Sequence, residues 1–159
     1  MGIEIEPQRR RDTEKIEGGT DSRVNARTDV MMPNETQRDP LTEKIIGAVI
    51  EVHKHLGPGL LESAYEECLC WELQQTGLAL WRQVPLPVVY KAVHLELGYR
   101  IDVIVEDRVV VELKTVERLM AIHEAQLLTY LRLSGISTGL LLNFHSAYLK
   151  DGILLRVLS

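Results

Sequence analysis

With 159 residues, 45% of them hydrophobic and 26% charged, the chain has material for one ordinary domain around a buried core. No apolar run approaches the roughly 18 to 20 residues that span a bilayer, and Arg9, Arg10 and Arg11 lead into polar sequence rather than the apolar stretch of a secretory signal. The net charge of −5 argues against a protein that coats nucleic acid through a basic surface, but not against a site whose carboxylates bind a cation that then faces an anionic ligand.

Residues 1–40 stand apart. They contain no aromatic side chain and few aliphatic ones, and they hold nine of the 23 acidic and seven of the 18 basic residues. Such a segment cannot bury enough surface to offset its ordering entropy. It is expected to be disordered, or to be a mis-annotated extension upstream of a natural start at Met31 or Met32. The folded domain is expected over residues 41–159.

Pro40 closes the extension, and Thr42 is a plausible N-cap. Ile45, Ile46, Val49, Ile50, His53 and Leu56 then recur at helical spacing until Gly57, Pro58 and Gly59 stop the helix. A second helix is predicted from about Leu60 to Thr76, with Leu61, Tyr65, Cys68 and Leu69 as its apolar stripe and Gly77 as the C-cap glycine. Cys68 and Cys70, two apart on that helix, do not face each other and form neither a disulfide nor a metal pair. A reducing, cytoplasmic setting follows as the expectation.

After Gly77 the period changes from 3.6 to 2. Leu78–Gln83, Leu86–Ala92, Tyr99–Val105 and Val109–Lys114 read as strands, the second beginning at an edge because of Pro85 and Pro87. A third helix is predicted over Ala121–Leu133. Thr138–Phe144 is nearly all apolar, as in a strand covered on both faces, and Ile153–Leu158 is a short last strand. The order predicts a mixed sheet flanked by helices, class α/β or α+β.

Chemistry concentrates on two neighbouring strands. Glu112 and Lys114 share one face of the fourth strand, and Asp102 interrupts Ile101, Val103 and Val105 on the third. Carboxylates and an ammonium projecting from otherwise apolar strands are costly to bury without a purpose. Convergence depends on the hairpin. A two-residue loop, Asp107 and Arg108, would set Asp102 opposite Leu113 and turn it away from Glu112. A three-residue loop, Glu106–Arg108, sets it opposite Glu112 on one face. Converged, Asp102, Glu112 and the Leu113 carbonyl offer hard oxygen ligands for Mg²⁺ or Mn²⁺, and Lys114 would orient a water or offset charge on phosphorus. The competing reading is a Glu–Lys surface pair on an exposed strand.

Several other groups carry simpler readings. Glu62 and Tyr65 share a helix face and read as a surface Glu beside a core Tyr, and Gln126 and Tyr130 as an ordinary i, i+4 pair. His53 and His55 point apart, His123 reads as a helix-start residue, and Glu66, Glu67 and Glu72 as a solvated acidic face. No phosphate loop, Ser-His-Asp signature or zinc-finger spacing is present.

The Asp102…Glu112-x-Lys114 pattern resembles the signature of the PD-(D/E)XK nuclease superfamily. Gln126 and Tyr130 are similar to the Gln-x-x-x-Tyr motif of its RecB-like branch, and Gly59, Glu62 and Tyr65 match the motif that names the GxxExxY protein family. The resemblance covers nearly all of residues 41–159. It implies a restriction-endonuclease-like α-β-β-β-α-β core preceded by an extra helix, with Glu62 as a helix-borne acidic residue beside the ion. Asp102 and Glu112 would be metal ligands, Lys114 the catalytic lysine, and Gln126 and Tyr130 site-lining residues. Mg²⁺ or Mn²⁺ is the implied cofactor. No iron–sulfur cluster is implied, because the chain has two cysteines where some RecB-type nucleases use four. DNA or RNA is the expected partner, no membrane is expected, and the small domain leaves room for a protein partner or a homodimer. The leading expectation is a Mg²⁺-dependent nuclease. The alternatives are a non-catalytic nuclease-fold binding or regulatory module, and a hydrolase of another phosphate ester.

Overall fold

The computed structural model describes residues 39–96 and 98–159. The expected disordered or mis-annotated extension therefore lies, up to residue 38, outside the described residues. Two helices come first, α1 (Pro40–Leu56) and α2 (Glu62–Gln75). The cap of α1 is Asp39 rather than Thr42: its Oδ1 accepts the Thr42 N–H at 2.8 Å, and Pro40 fills the first helical position, where no donor is needed. Gly57, at φ 63°, ends α1 with its N–H on the His53 carbonyl.

The strands are β1 (Leu80–Pro85), β2 (Val88–Tyr90), β3 (Val93–Leu95), β4 (Arg100–Val105), β5 (Val109–Lys114), β6 (Thr138–Asn143) and β7 (Ile153–Val157), with α3 (Ala121–Ser134) between β5 and β6. One sheet has the order β1-β4-β5-β6-β7, antiparallel throughout except for the parallel β5/β6 pair. The run α2-β1-β4-β5-α3-β6 is the α-β-β-β-α-β core of a restriction-endonuclease-like fold, and α1 is the additional helix.

The segment expected to be one strand, Leu86–Ala92, is a strand only over Val88–Tyr90, then turns at Lys91 and pairs with Val93–Leu95 beyond the expected end. β2 and β3 form a separate two-stranded sheet between β1 and β4. The turn uses Lys91 at φ 51° where a glycine would ordinarily announce it.

Each face of the main sheet carries its own core. On one side Ile45, Val49, Tyr65, Leu69 and Leu73 of α1 and α2 pack on Val103, Val105, Val111, Leu113 and Leu140. On the other, Leu127, Tyr130 and Leu131 of α3 cover Ile104, Val110 and Leu141. β6 is buried from Gly139 to Asn143 between them, which explains its apolar stretch Leu140–Leu142. At roughly 25 cal/mol per Å² of buried apolar surface, these layers supply most of the gross stabilisation of the fold.

Candidate active site

The β4–β5 hairpin has the three-residue loop that brings the carboxylates together. Val105 pairs with Val109, Ile104 with Val110 and Val103 with Val111, so Asp102 comes next to Glu112. The Arg108 N–H closes a turn on the Val105 carbonyl at 3.0 Å, across Glu106 and Asp107, both at φ 54°. Those two left-handed residues make a twist-matched turn, and Arg108 is the extra residue that sets the register. Glu106 ties the turn to the start of β1, accepting the Ala79 N–H on its carboxylate at 2.7 Å.

Past Val103 the ladder gives way to side chains. The Asp102 N–H donates to Glu112 Oε1 at 3.0 Å, and the Leu113 N–H donates to Asp102 Oδ2 at 2.9 Å. Each carboxylate is thus fixed by the backbone of the other's strand. Glu112 is only 3% exposed, and Asp102 and Lys114 are half-buried. Burial, reinforced by the Asp102 charge, pushes the Glu112 carboxyl up to about 8. In the absence of a cation both effects favour the protonated form of Glu112 over that of an ordinary carboxylate.

Asp102 also lies where the sheet exchanges faces. On β4, Val103 and Val105 belong to the α1/α2 core, yet Ile101, of the same parity, belongs to the α3 core. On β1, Leu80 packs with the first core and Val84 with the second, although strict alternation would put them together. The exchange falls at Gln83 and Asp102, the two positions absent from an otherwise constant β1/β4 register. Both helical layers can therefore approach the same carboxylate.

Glu62, the first residue of α2, is half-buried. Its carboxyl is raised by burial first and by Asp102 next, with Lys114 opposing. From the other side, Tyr130 on α3 is 6% exposed, and burial raises its phenol, with smaller contributions from Glu112 and Asp102. Gln126 Nε2 donates to the Tyr130 hydroxyl at 3.0 Å. These two residues also border a groove of about 370 Å³ beside the site, with Tyr99, Thr129, Leu86 and Ile122 as further walls.

Tyr65 lies elsewhere. Its ring is fully buried and stacks on Phe144 at 4.6 Å, and its hydroxyl donates to the Gly57 carbonyl at 2.5 Å and accepts the Leu60 N–H at 3.1 Å. Its work is to shape the turn that delivers Glu62. The Leu113 side chain is core, and its backbone N–H is the part that meets Asp102. His123 caps α3, accepting the Met120 N–H on Nδ1 at 2.9 Å. Cys68 and Cys70 are free, with burial raising both thiols, Cys70 to about 12.

Sequence reasoning missed three supports. Glu66 is not a solvated acid: it is 7% exposed, and Arg82 Nε and Nη2 donate to its Oε1 at 3.1 and 3.0 Å. Gln83 Nε2 lies 2.8 Å from Glu66 Oε2 and 3.5 Å from Asp102 Oδ1. Asn143, 1% exposed at the end of β6, holds the segment after Lys114, accepting the Val116 N–H at 3.1 Å and donating to the Val116 carbonyl at 2.8 Å. A polar residue closing an apolar strand was the available signal for Asn143; the other two depend on tertiary partners.

The donor set fits a small hard cation. Two adjacent carboxylates offer oxygen ligands, and among the described residues no group of three or more His, Cys, Asp or Glu side chains stands close enough to cage an ion. Mg²⁺ is ordinarily held by one or two carboxylates, with waters and substrate oxygens completing its shell.

Comparison with known families agrees with this geometry. Residues 39–156 match the family model of the PD-(D/E)XK nuclease superfamily, and the chain belongs to that superfamily. A nuclease-type function and an interaction with nucleic acid follow from that membership. No curated protein and no solved structure matches the chain. Among the described residues no helix is long and apolar enough to cross a membrane.

Proposed function

We propose that the chain hydrolyses phosphodiester bonds of DNA or RNA with Mg²⁺ or Mn²⁺ held by Asp102 and Glu112 and assisted by the Leu113 carbonyl, with Glu62 reaching the ion through a water. The observation that carries this reading is the hairpin register, which makes the two carboxylates neighbours with Lys114 two residues along the same strand. The ion, when bound, supplies Lewis-acid polarisation of the phosphoryl oxygen and a more acidic water.

The chain's own residues supply the rest. Asp102 and Glu112 present fixed oxygens, because each is tethered to the opposite strand. Lys114 brings a positive charge to a predominantly acidic site, where it offsets negative charge accumulating on phosphorus and orients the attacking water. Gln126 and Tyr130, paired on α3, position the substrate at the mouth of the groove, whose walls receive the adjoining nucleoside. A RecB-like, GxxExxY-type assignment accords with the places of Glu62, Gln126 and Tyr130 around the carboxylates.

The test is incubation of single- and double-stranded DNA and RNA with Mg²⁺ or Mn²⁺, in parallel with Lys114→Ala and with chelator. Cleavage that needs the metal and falls by 100-fold or more in Lys114→Ala is the expected result. Binding without cleavage of any of these substrates would instead assign the domain to the non-catalytic modules.

A further inference from the structure

One residue near the carboxylates is held in a conformation that its place in the sheet does not require. Gln83 lies inside β1, yet its φ is 48°, in the left-handed region that strains a non-glycine residue. No residue is inserted there, since the β1/β4 register is the same before and after it, Arg82 with Val103 and Val84 with Ile101. The strain therefore does not accommodate a bulge.

Its consequence is directional. Successive side chains of a strand point to opposite faces, but Arg82 and Gln83 both reach Glu66 on α2, through the guanidinium at 3.0 Å and the amide at 2.8 Å. The left-handed residue redirects the Gln83 side chain onto the α2 side, where the same amide nitrogen faces Asp102 Oδ1 at 3.5 Å. The opposite oxygen of Asp102 is already held by the Leu113 N–H. Asp102 is thus approached by a donor at each oxygen, one from β5 and one from β1. Glu66, nearly buried and clamped by Arg82, anchors the second of them.

We infer that Gln83 is a positioning residue: the strained strand conformation delivers its side-chain amide between Glu66 and Asp102, fixing the Asp102 carboxylate in the orientation that receives the cation. The inference rests on the preceding reading for what Asp102 does, but not for how it is held. Gln83 does not touch the reacting phosphate. It limits the rotation of Asp102 and so sets the affinity of the site for its ion.

Gln83→Gly separates this role from a merely structural one, because glycine relieves the backbone strain while deleting the amide. In chelator, Gln83→Gly should melt above Gln83→Ala, since both lose the amide bonded to Glu66 and only glycine relieves the strain. The Leu113 amide, measured by hydrogen exchange, should nevertheless lose protection by about tenfold relative to amides bonded in the β5/β6 ladder. In the same variant Mn²⁺ affinity, followed by electron paramagnetic resonance, should fall roughly five- to tenfold. Gln83→Ala, which keeps the strain, should show both losses and a lower melting temperature. Unchanged Leu113 protection in Gln83→Gly overturns the inference, whether or not the protein binds metal. A wild-type protein that binds no Mn²⁺ overturns the reading of Asp102 as a ligand and leaves the exchange measurement to decide the role of Gln83.

Discussion

Glu112→Gln should stabilise the metal-free protein, and the stabilisation should grow with pH. Glu112 is nearly buried, and its carboxyl is pushed from an ordinary 4.5 to about 8 by burial first and by Asp102 second. Below pH 4.5 the folded and unfolded chains both carry it protonated, and nothing is lost. Between about 4.5 and 8 the unfolded chain releases this proton while the folded chain retains it, so stability falls; above 8 the loss levels off. At about 1.4 kcal/mol per pH unit, the fall between pH 5 and pH 8 is of order 3 kcal/mol. Glutamine keeps the oxygen that accepts the Asp102 N–H and adds a donor toward the Asp102 carboxylate, so the variant should lose most of this slope. Urea unfolding in chelator at pH 5, 6.5 and 8 measures it for both proteins. Glu62, also raised by burial and by Asp102, tilts both curves in the same sense and cancels in the difference. Equal slopes for wild type and variant would refute the reasoning, because Glu112 would then ionise as freely in the fold as outside it.

The same buried proton predicts that binding of Mg²⁺ at pH 7 releases close to one proton per ion, read as the dependence of calorimetric heat on buffer ionisation enthalpy. Tyr65→Phe keeps the stack on Phe144 but removes the hydroxyl from Gly57 and Leu60, and should cost about 1 to 2 kcal/mol in urea unfolding. Asn143→Ala strips both partners from Val116; a loss of about 2 kcal/mol is expected, with faster amide exchange at Val116 than elsewhere in the domain.

Much of this molecule is written locally, and the part that is not has a common cause. The helices, β4, β5 and β6 follow from apolar periodicity, and Asp102, Glu112 and Lys114 stood out because they break Val-rich strands. The loop Glu106–Arg108 could be singled out in advance because one residue more or less decides which face Asp102 takes. The β2–β3 turn escaped because Lys91 occupies a left-handed position without the glycine or asparagine that signals one. Gln83 escaped because a period-2 reading assumes that no strand residue changes face, and here both β1 and β4 do. Glu66 looked like one of three solvated acids on α2; the partner that buries it, Arg82, lies on a strand sixteen residues away.

The small β2–β3 sheet departs from the main body and rejoins it at nearly one point, for the Leu86 N–H donates to the Tyr99 carbonyl at 2.8 Å. The hairpin Val88–Leu95 hangs from this neck, so lengthening or exchanging it adds little loop-closure cost. Val89, Tyr90 and Val93 ride on this appendage with more than half of their surface in solvent, while Tyr99 at its neck borders the groove. A domain built this way can be given new surface preferences by grafting at the neck, with the carboxylate-bearing strands β4 and β5 left untouched.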